Sequence, residues 1–205
     1  MAQYGNSMQR TTPIVLNLII INALVYVAQL VLDKSIGLTN ILALYSYNSE
    51  YFRPYQLVTH MFAHSPSMFF HILFNMYALW MFGSVLERVW GPKRFLIFYM
   101  VCGLAAGVAQ MMLVKDGAAV GASGAIMGLL AAFAYLFPNT KFFILPFPFP
   151  IKAKYMVAIL AAIDLFGGFH PGNADNVAHF AHLGGMVMGF ILVFIWNKTN
   201  TKTFY

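Results

Sequence analysis

The sequence predicts an all-α, polytopic membrane protein folded as a bundle of six transmembrane helices. Three observations carry that expectation. Hydrophobic residues make up 60% of the 205-residue chain and charged residues only 9%, with a mean hydropathy of +0.72; soluble domains carry about 25% charged residues. Six apolar stretches near the length that crosses a bilayer are separated by polar, Pro- or Gly-containing connections. The basic residues, finally, divide unequally between the two sides that six crossings define. A chain of this length holds one domain with little room for a second. The single cysteine, Cys102, lies in an apolar run, so inert packing is expected of it rather than a disulfide or a thiolate metal site.

Met1–Thr12 reads as a polar tail, and Pro13 suits the first turn of a helix. Ile14–Leu32 carries no charge and is long enough to span; its length and the lack of a convincing basic start argue against a cleavable signal. Asn17, Asn22 and Gln29 within it are expected to face protein rather than lipid. Asp33–Ser67 is rich in Tyr, Phe, His and Pro, a mixture suited to the membrane interface. His60 and His64 stand four apart, which on a helix is a metal-ligand spacing, but no Glu separates them as in zinc peptidases, and no metal is expected.

Met68–Trp90 is the second span. His71 and Asn75 fall on one face of it, about 6 Å apart along the axis. Phe95–Val114 is the third span, with Gln110 near its far end, and the loop Lys115–Gly121 leads to a fourth span from Ser123 to Phe137. Pro138–Pro150 is too rich in proline for a continuous helix and reads as a connector. Tyr155–Phe169 is the fifth span and contains Asp164; after the polar loop His170–Asn176, Val177–Trp196 is the sixth. The expected division is a tail over 1–13, a six-helix domain over 14–197 and a second tail over 198–205.

Six spans put both termini on one side. Nine of the twelve basic residues fall there, and only Lys34, Arg53 and Lys115 on the other, which marks the richer side as cytoplasmic. The net charge of +6 is thereby explained as topology, and nucleic acid is excluded as a partner.

The chain is organised around Ala118–Gly128, where one hydroxyl, Ser123, sits among glycines and alanines at the start of a span. Gly121 admits dihedrals that a side chain forbids, and a Ser at the tip of a turn into a helix lies beside unpaired N–H groups suited to an oxyanion. In isolation, close packing of small residues explains this stretch better. The topology adds that His71, Asn75 and His182 reach the same depth below the outer face. Gly124-x-x-x-Gly128 and Gly185-x-x-x-Gly189 let the fourth and sixth helices touch, which would bring Ser123 within reach of His182. A hydroxyl, a histidine base and hydrogen-bond donors are the groups that acyl transfer through a serine ester requires.

His71-Ile-Leu-Phe-Asn75, Gly121-Ala-Ser123-Gly124 and Ala181-His182-x-x-Gly185-x-x-x-Gly189 occur in the order and spacing of one known family. From about Arg53 to Gly189 the chain resembles the rhomboid intramembrane serine proteases, in their six-helix bacterial form. The resemblance implies a rhomboid-like bundle and a Ser–His dyad, with Ser123 as nucleophile and His182 as general base. It also implies an oxyanion site from His71, Asn75 and the backbone N–H of Ser123. Gly121, Gly124, Gly185, Gly189 and Gln110 would support the site. Such enzymes cut transmembrane protein substrates in or beside the bilayer, with no cofactor and no metal, and favour a small residue before the scissile bond. The compact form fits a bacterial inner membrane, with cytoplasmic termini and the site opening to the extracytoplasmic side.

Of two candidate bases, only His182 is followed by glycine at +3 and +7; His179 is expected to be a hydrogen-bonding neighbour nearer the surface. Asp164 and Asp175 are the nearby acids, neither with an obvious path to His182, so the imidazole is expected to lack an orienting carboxylate. The chain departs from the family at Tyr55-Gln56, where a Trp-Arg pair is usual. It departs again at Arg88, directly after Glu87, and at Met127, where an aromatic residue often stacks on the histidine. A water-filled cavity lined by His71, Asn75, Ser123 and Gln110 is expected, with His170–Asn176 as its cap. The alternative function is a catalytically silent rhomboid-like protein that binds membrane clients, and a small transporter is the third class, for which the internal repeat it predicts is not found.

Overall fold

The computed structural model describes residues 12–115, 117–143, 149–169 and 178–199. The expected cap His170–Asn176, Asp175 within it, and most of both tails lie outside the described residues. Helix α1 (Pro13–Ile36) opens with proline in its first turn and closes at Gly37, whose left-handed φ of 64° lets its N–H bond back to the Asp33 carbonyl. A loop region follows, with helix α2 (Leu38–Leu42), strand β1 (Leu44–Tyr45) and helix α3 (Gln56–Thr59). Helix α4 (Phe69–Ala78) runs through a π-helical turn, Leu79–Gly83, into α5 (Ser84–Trp90), so the second span is continuous. Helix α6 (Pro92–Leu113), strand β2 (Ala118–Ala119) and helix α7 (Ser123–Leu136) come next. Strands β3 (Lys141–Phe142) and β4 (Ile151–Lys152) pair antiparallel in the connector before α8 (Ala153–Phe169) and α9 (His179–Thr199).

Four of these spans, α1, α4 through α5, α6 and α9, are long and apolar enough to cross a membrane. Together with the family described below, they make the chain an all-α polytopic membrane protein. Helix α7 has 14 residues, a rise of about 21 Å against a hydrocarbon core of about 30 Å. It is nonetheless the centre of the bundle: Gly124, Ala125, Ile126, Gly128 and every residue from Leu129 to Phe133 are buried. A helix enclosed by other helices has no lipid to match in length.

Helix α7 makes its most extensive contact with α9. A Cβ at Gly185 would run into the Gly124 carbonyl oxygen, and one at Gly189 into that of Gly128, so the two backbones touch directly, as the glycine spacing predicts. Helix α6 closes the third side, with Ala106 against Gly124 and the Cys102 side chain where a Gly128 Cβ would meet it at 2.7 Å. Phe95, Phe98, Tyr99, Leu79, Leu86 and Leu129 complete the dry core, and Cys102 is buried inert among them.

Buried polar groups close the bundle's ends. Asn22 and Gln29 face protein, as expected, whereas Asn17 is exposed: it stands one turn from the Pro13 end of α1, where an amide reaches the interface. The Gln29 amide clamps the backbone of His64 from both sides, donating to its carbonyl at 2.8 Å and accepting from its N–H at 3.0 Å. Glu87 of α5 caps α1 across the bundle, its two carboxylate oxygens accepting from the N–H groups of Ile14 (3.0 Å) and Val15 (2.9 Å). Glu87→Ala should therefore lower stability by about 1–3 kcal/mol, and Glu87→Gln by less, in thermal melts of detergent-solubilised protein. Equal melting temperatures for all three would refute the cap.

Candidate active site

The approach to α7 is built by the loop region. Strands β1 and β2 pair antiparallel, Leu44 with Ala119 and Tyr45 with Ala118, and the Gly121 N–H donates to the His60 carbonyl at 2.9 Å. Gly121 then turns with φ +129°, a conformation that favours glycine. Ser123 follows as the first residue of α7, so its own N–H has no acceptor within the helix.

The Ser123 Oγ lies 2.9 Å from Nε2 of His182, one turn into α9. These two residues, expected to meet, do meet. The other ring nitrogen of His182, Nδ1, lies 2.9 Å from Oδ1 of Asp164 on α8. The same oxygen stands 2.8 Å from Nδ1 of His179. The expectation that no carboxylate reaches His182 is therefore wrong. Its physical reason is the tight seam between α8 and α9: the His179 ring lies against the Cα of Gly167 and the Phe180 ring against Gly168. Asp164, Gly167 and Gly168 share a face at helical spacing, and a lone carboxylate in an apolar span was the signal available in the sequence. His179 is a hydrogen-bonding neighbour, as expected, but a buried one.

His71 completes the mouth of the turn. A Cβ on Gly121 would stand 2.9 Å from His71 Nε2 and 3.6 Å from Ser123 Oγ, so imidazole and hydroxyl face the same point. Asn75 sits one turn along α4 and donates one amide N–H to the His71 carbonyl at 2.8 Å, which leaves it a second. Gln110 is engaged elsewhere: its Oε1 accepts the N–H of Ala181 at 3.3 Å, tying α6 to the first turn of α9. The cavity beside Ser123, about 10 Å³ and large enough for one water, is bordered instead by His60, Met61, Gly121, Ala178 and Ala181. Neither His71 nor Asn75 lines it.

Helix α3 ends at Thr59, so His60 and His64 do not share a helical face. His60 places Nδ1 2.8 Å from the Gln56 carbonyl, and burial holds its pKa below the usual value. His64 is fully buried, edge-on to His71 with centroids 5.1 Å apart. Burial, and then the neighbouring His71, depress its pKa to about 3. Among the described residues no group of three His, Cys, Asp or Glu is placed to hold a metal ion. Where the family usually has Trp-Arg, Gln56 closes the loop itself, donating to the Tyr51 carbonyl at 3.0 Å and accepting from the Arg53 N–H at 3.1 Å. Arg88 is exposed, and Met127 packs with the apolar cluster of Phe82, Leu130, Phe133 and Ala153.

A rhomboid domain family model matches residues 51–199, well over half the chain. The chain belongs to the rhomboid family. Among its relatives, this rhomboid is 36% identical over 146 residues to the mitochondrial Rhomboid protein 1 of Saccharomyces cerevisiae, a match covering 68% of this chain and 42% of that one. It is 37% identical over 121 residues to the Rhomboid protease GluP of Bacillus subtilis, covering 58% of this chain and 22% of the relative. The chloroplastic Rhomboid-like protein 11 of Arabidopsis thaliana is 29% identical over 188 residues, 88% of this chain and 64% of the relative. The match thus spans less than half the length of the first two.

Gly121→Ala should abolish labelling of Ser123 by a fluorophosphonate, since the methyl group meets both strained backbone and the His71 ring; labelling at the wild-type rate would refute this account of the turn. His64 supplies a pH test. Its folded pKa is depressed, so its contribution to stability is complete above pH 6.5 and is lost as pH falls towards 3, where only the unfolded chain takes up the proton. The loss reaches ~1.4 kcal/mol per pH unit for this one group. His64→Met should flatten the fall in melting temperature between pH 6.5 and 4.5, and an unchanged slope would refute the assignment.

Proposed function

We propose that this rhomboid is an intramembrane serine endopeptidase that hydrolyses peptide bonds in or near the transmembrane segments of membrane-protein substrates. The observation that carries the reading is the 2.9 Å contact between Ser123 Oγ and His182 Nε2 at the N-terminus of α7. His182 accepts the hydroxyl proton as Oγ attacks the scissile carbonyl, and the carbonyl electrons move to oxygen. The Ser123 N–H, His71 and the free N–H of Asn75 are the donors for that oxyanion. Collapse breaks the C–N bond, and the imidazolium returns its proton to the leaving amine, leaving Ser123 acylated. A water, deprotonated by His182 in the same way, attacks the ester and regenerates the hydroxyl. Every proton is accounted for by His182, so the chemistry calls on no cofactor and no metal.

The name of the Bacillus subtilis relative as a protease supports the same reaction class. The basic residues support cytoplasmic termini, with the site opening to the opposite side of what we take to be a bacterial inner membrane. In this reading the domain runs over 14–197 between short tails, and a substrate residue with a small side chain precedes the cut.

Wild-type protein in detergent should react with a fluorophosphonate and cleave a single-span peptide. Ser123→Ala and His182→Ala should each lose labelling and lower kcat by roughly 10³-fold or more. A wild type that neither labels nor cleaves would overturn the protease and favour the client-binding alternative.

A further inference from the structure

We propose that Asp164 is a positioning residue for His182: its Oδ1 holds the imidazole in the Nδ1–H tautomer, so that the Nε2 lone pair faces the Ser123 hydroxyl. The inference rests on the reading of Ser123 and His182 above and deepens it from a pair to a relay of three residues.

The geometry leaves the ring little choice. Among the described residues Nδ1 and Nε2 each have one partner, at 2.9 Å and 2.9 Å, and the two partners differ in kind. A carboxylate oxygen only accepts, so the nitrogen facing it must carry the proton. The opposite nitrogen of the neutral ring is then an acceptor, which is the form that can draw a proton from Oγ. With the tautomer reversed, a lone pair would face Asp164 Oδ1 and an N–H would face a hydroxyl oxygen that must itself be deprotonated. One contact becomes repulsive and the other unproductive.

Asp164 is itself immobilised. It is 3% exposed and eleven residues along α8 from Ala153, about 16 Å of helical rise at 1.5 Å per residue. A carboxylate at that depth is costly unless paired. Its Oδ1 takes a second N–H from His179 at 2.8 Å, and the His179 ring is wedged against Gly167, one turn further along α8. Two charge-assisted hydrogen bonds on one oxygen fix its direction better than either alone. His179 thus acts on His182 through Asp164. As the ring becomes cationic during attack, a fixed anion 2.9 Å from Nδ1 stabilises the charge where it forms.

A purely structural pin between α8 and α9 makes different predictions from a positioning role. Asp164→Leu removes both hydrogen bonds at similar volume, Asp164→Asn retains an acceptor oxygen without the charge, and Asp164→Glu restores the charge one methylene further out. With a single-span peptide substrate, kcat should fall by roughly 10²- to 10⁴-fold in the Leu variant. The Asn and Glu variants should lie between it and wild type, and KM should stay within about threefold throughout, because no substrate contact has changed. Nitrogen-15 spectra of histidine-labelled protein should show His182 in the Nδ1–H tautomer in wild type and in His179→Phe, and a mixture in Asp164→Leu.

A wild type with His182 in the Nε2–H form overturns the proposal without any variant having to fold. So does an Asp164→Leu protein with wild-type kcat, or one that melts early yet keeps the Nδ1–H tautomer, which is the behaviour of a structural pin. If Ser123→Ala is inactive while Asp164→Leu is not impaired, only this inference fails. If the wild type itself does not turn over, the protease reading fails, and the tautomer spectra still decide the role of Asp164.

Discussion

The bundle depends on a contact with no side chain in it. At Gly124 against Gly185 and Gly128 against Gly189, the backbones of α7 and α9 approach until carbonyl oxygen meets Cα. In a bilayer the hydrophobic effect gives helices no reason to prefer each other over lipid, so association relies on dispersion and on close polar contact. Glycine maximises both by removing the atoms that would hold the backbones apart. The contact also sets the register of the site. Ser123 precedes Gly124 by one residue and His182 precedes Gly185 by three, so a hydroxyl and an imidazole end within 2.9 Å. A slip of one helical turn between α7 and α9 would shift the two by about 5 Å and separate them.

Four buried polar side chains follow a common pattern. Each satisfies two hydrogen-bonding partners at once. Glu87 caps two N–H groups of α1, Gln29 takes both backbone groups of His64, Gln56 joins Tyr51 to Arg53, and Asp164 serves two imidazoles. One desolvation cost is then set against two hydrogen bonds, which is the condition under which polar groups persist at depth. It also explains how Glu87 and Asp164 are held entirely inside.

How much of this was legible in the sequence follows from where the information lies. Ser123, His182 and the glycines near them could be read because spacing along one helix states which residues share a face. The link from Asp164 to His182 could not, because it depends on the distance between α8 and α9, set by Gly167 and Gly168 under two aromatic rings. Gln110 reads from the sequence as a lining of the cavity, but whether it meets water or the Ala181 N–H depends on the rotation of α6. His60 and His64 were misjudged as potential helix-mates because α3 stops at Thr59, a boundary with no apolar periodicity to mark it. Helix α7 was expected to span like the others, since composition records apolarity and not whether a helix is enclosed.

The turn that delivers α7 is what sets a free donor beside the Ser123 hydroxyl. A helix offers unpaired N–H groups only at its start. Helix α7 starts two residues after the Gly121 turn, where the chain is not helical. That irregular backbone is tolerated where other protein satisfies it, and here it is satisfied by the pairing of β1 with β2 and by the Gly121 N–H on the His60 carbonyl. The loop region is therefore no mere cover for the bundle. By taking up the hydrogen bonds of the chain that leads into α7, it places the first N–H of that helix and the Ser123 hydroxyl together beside His182.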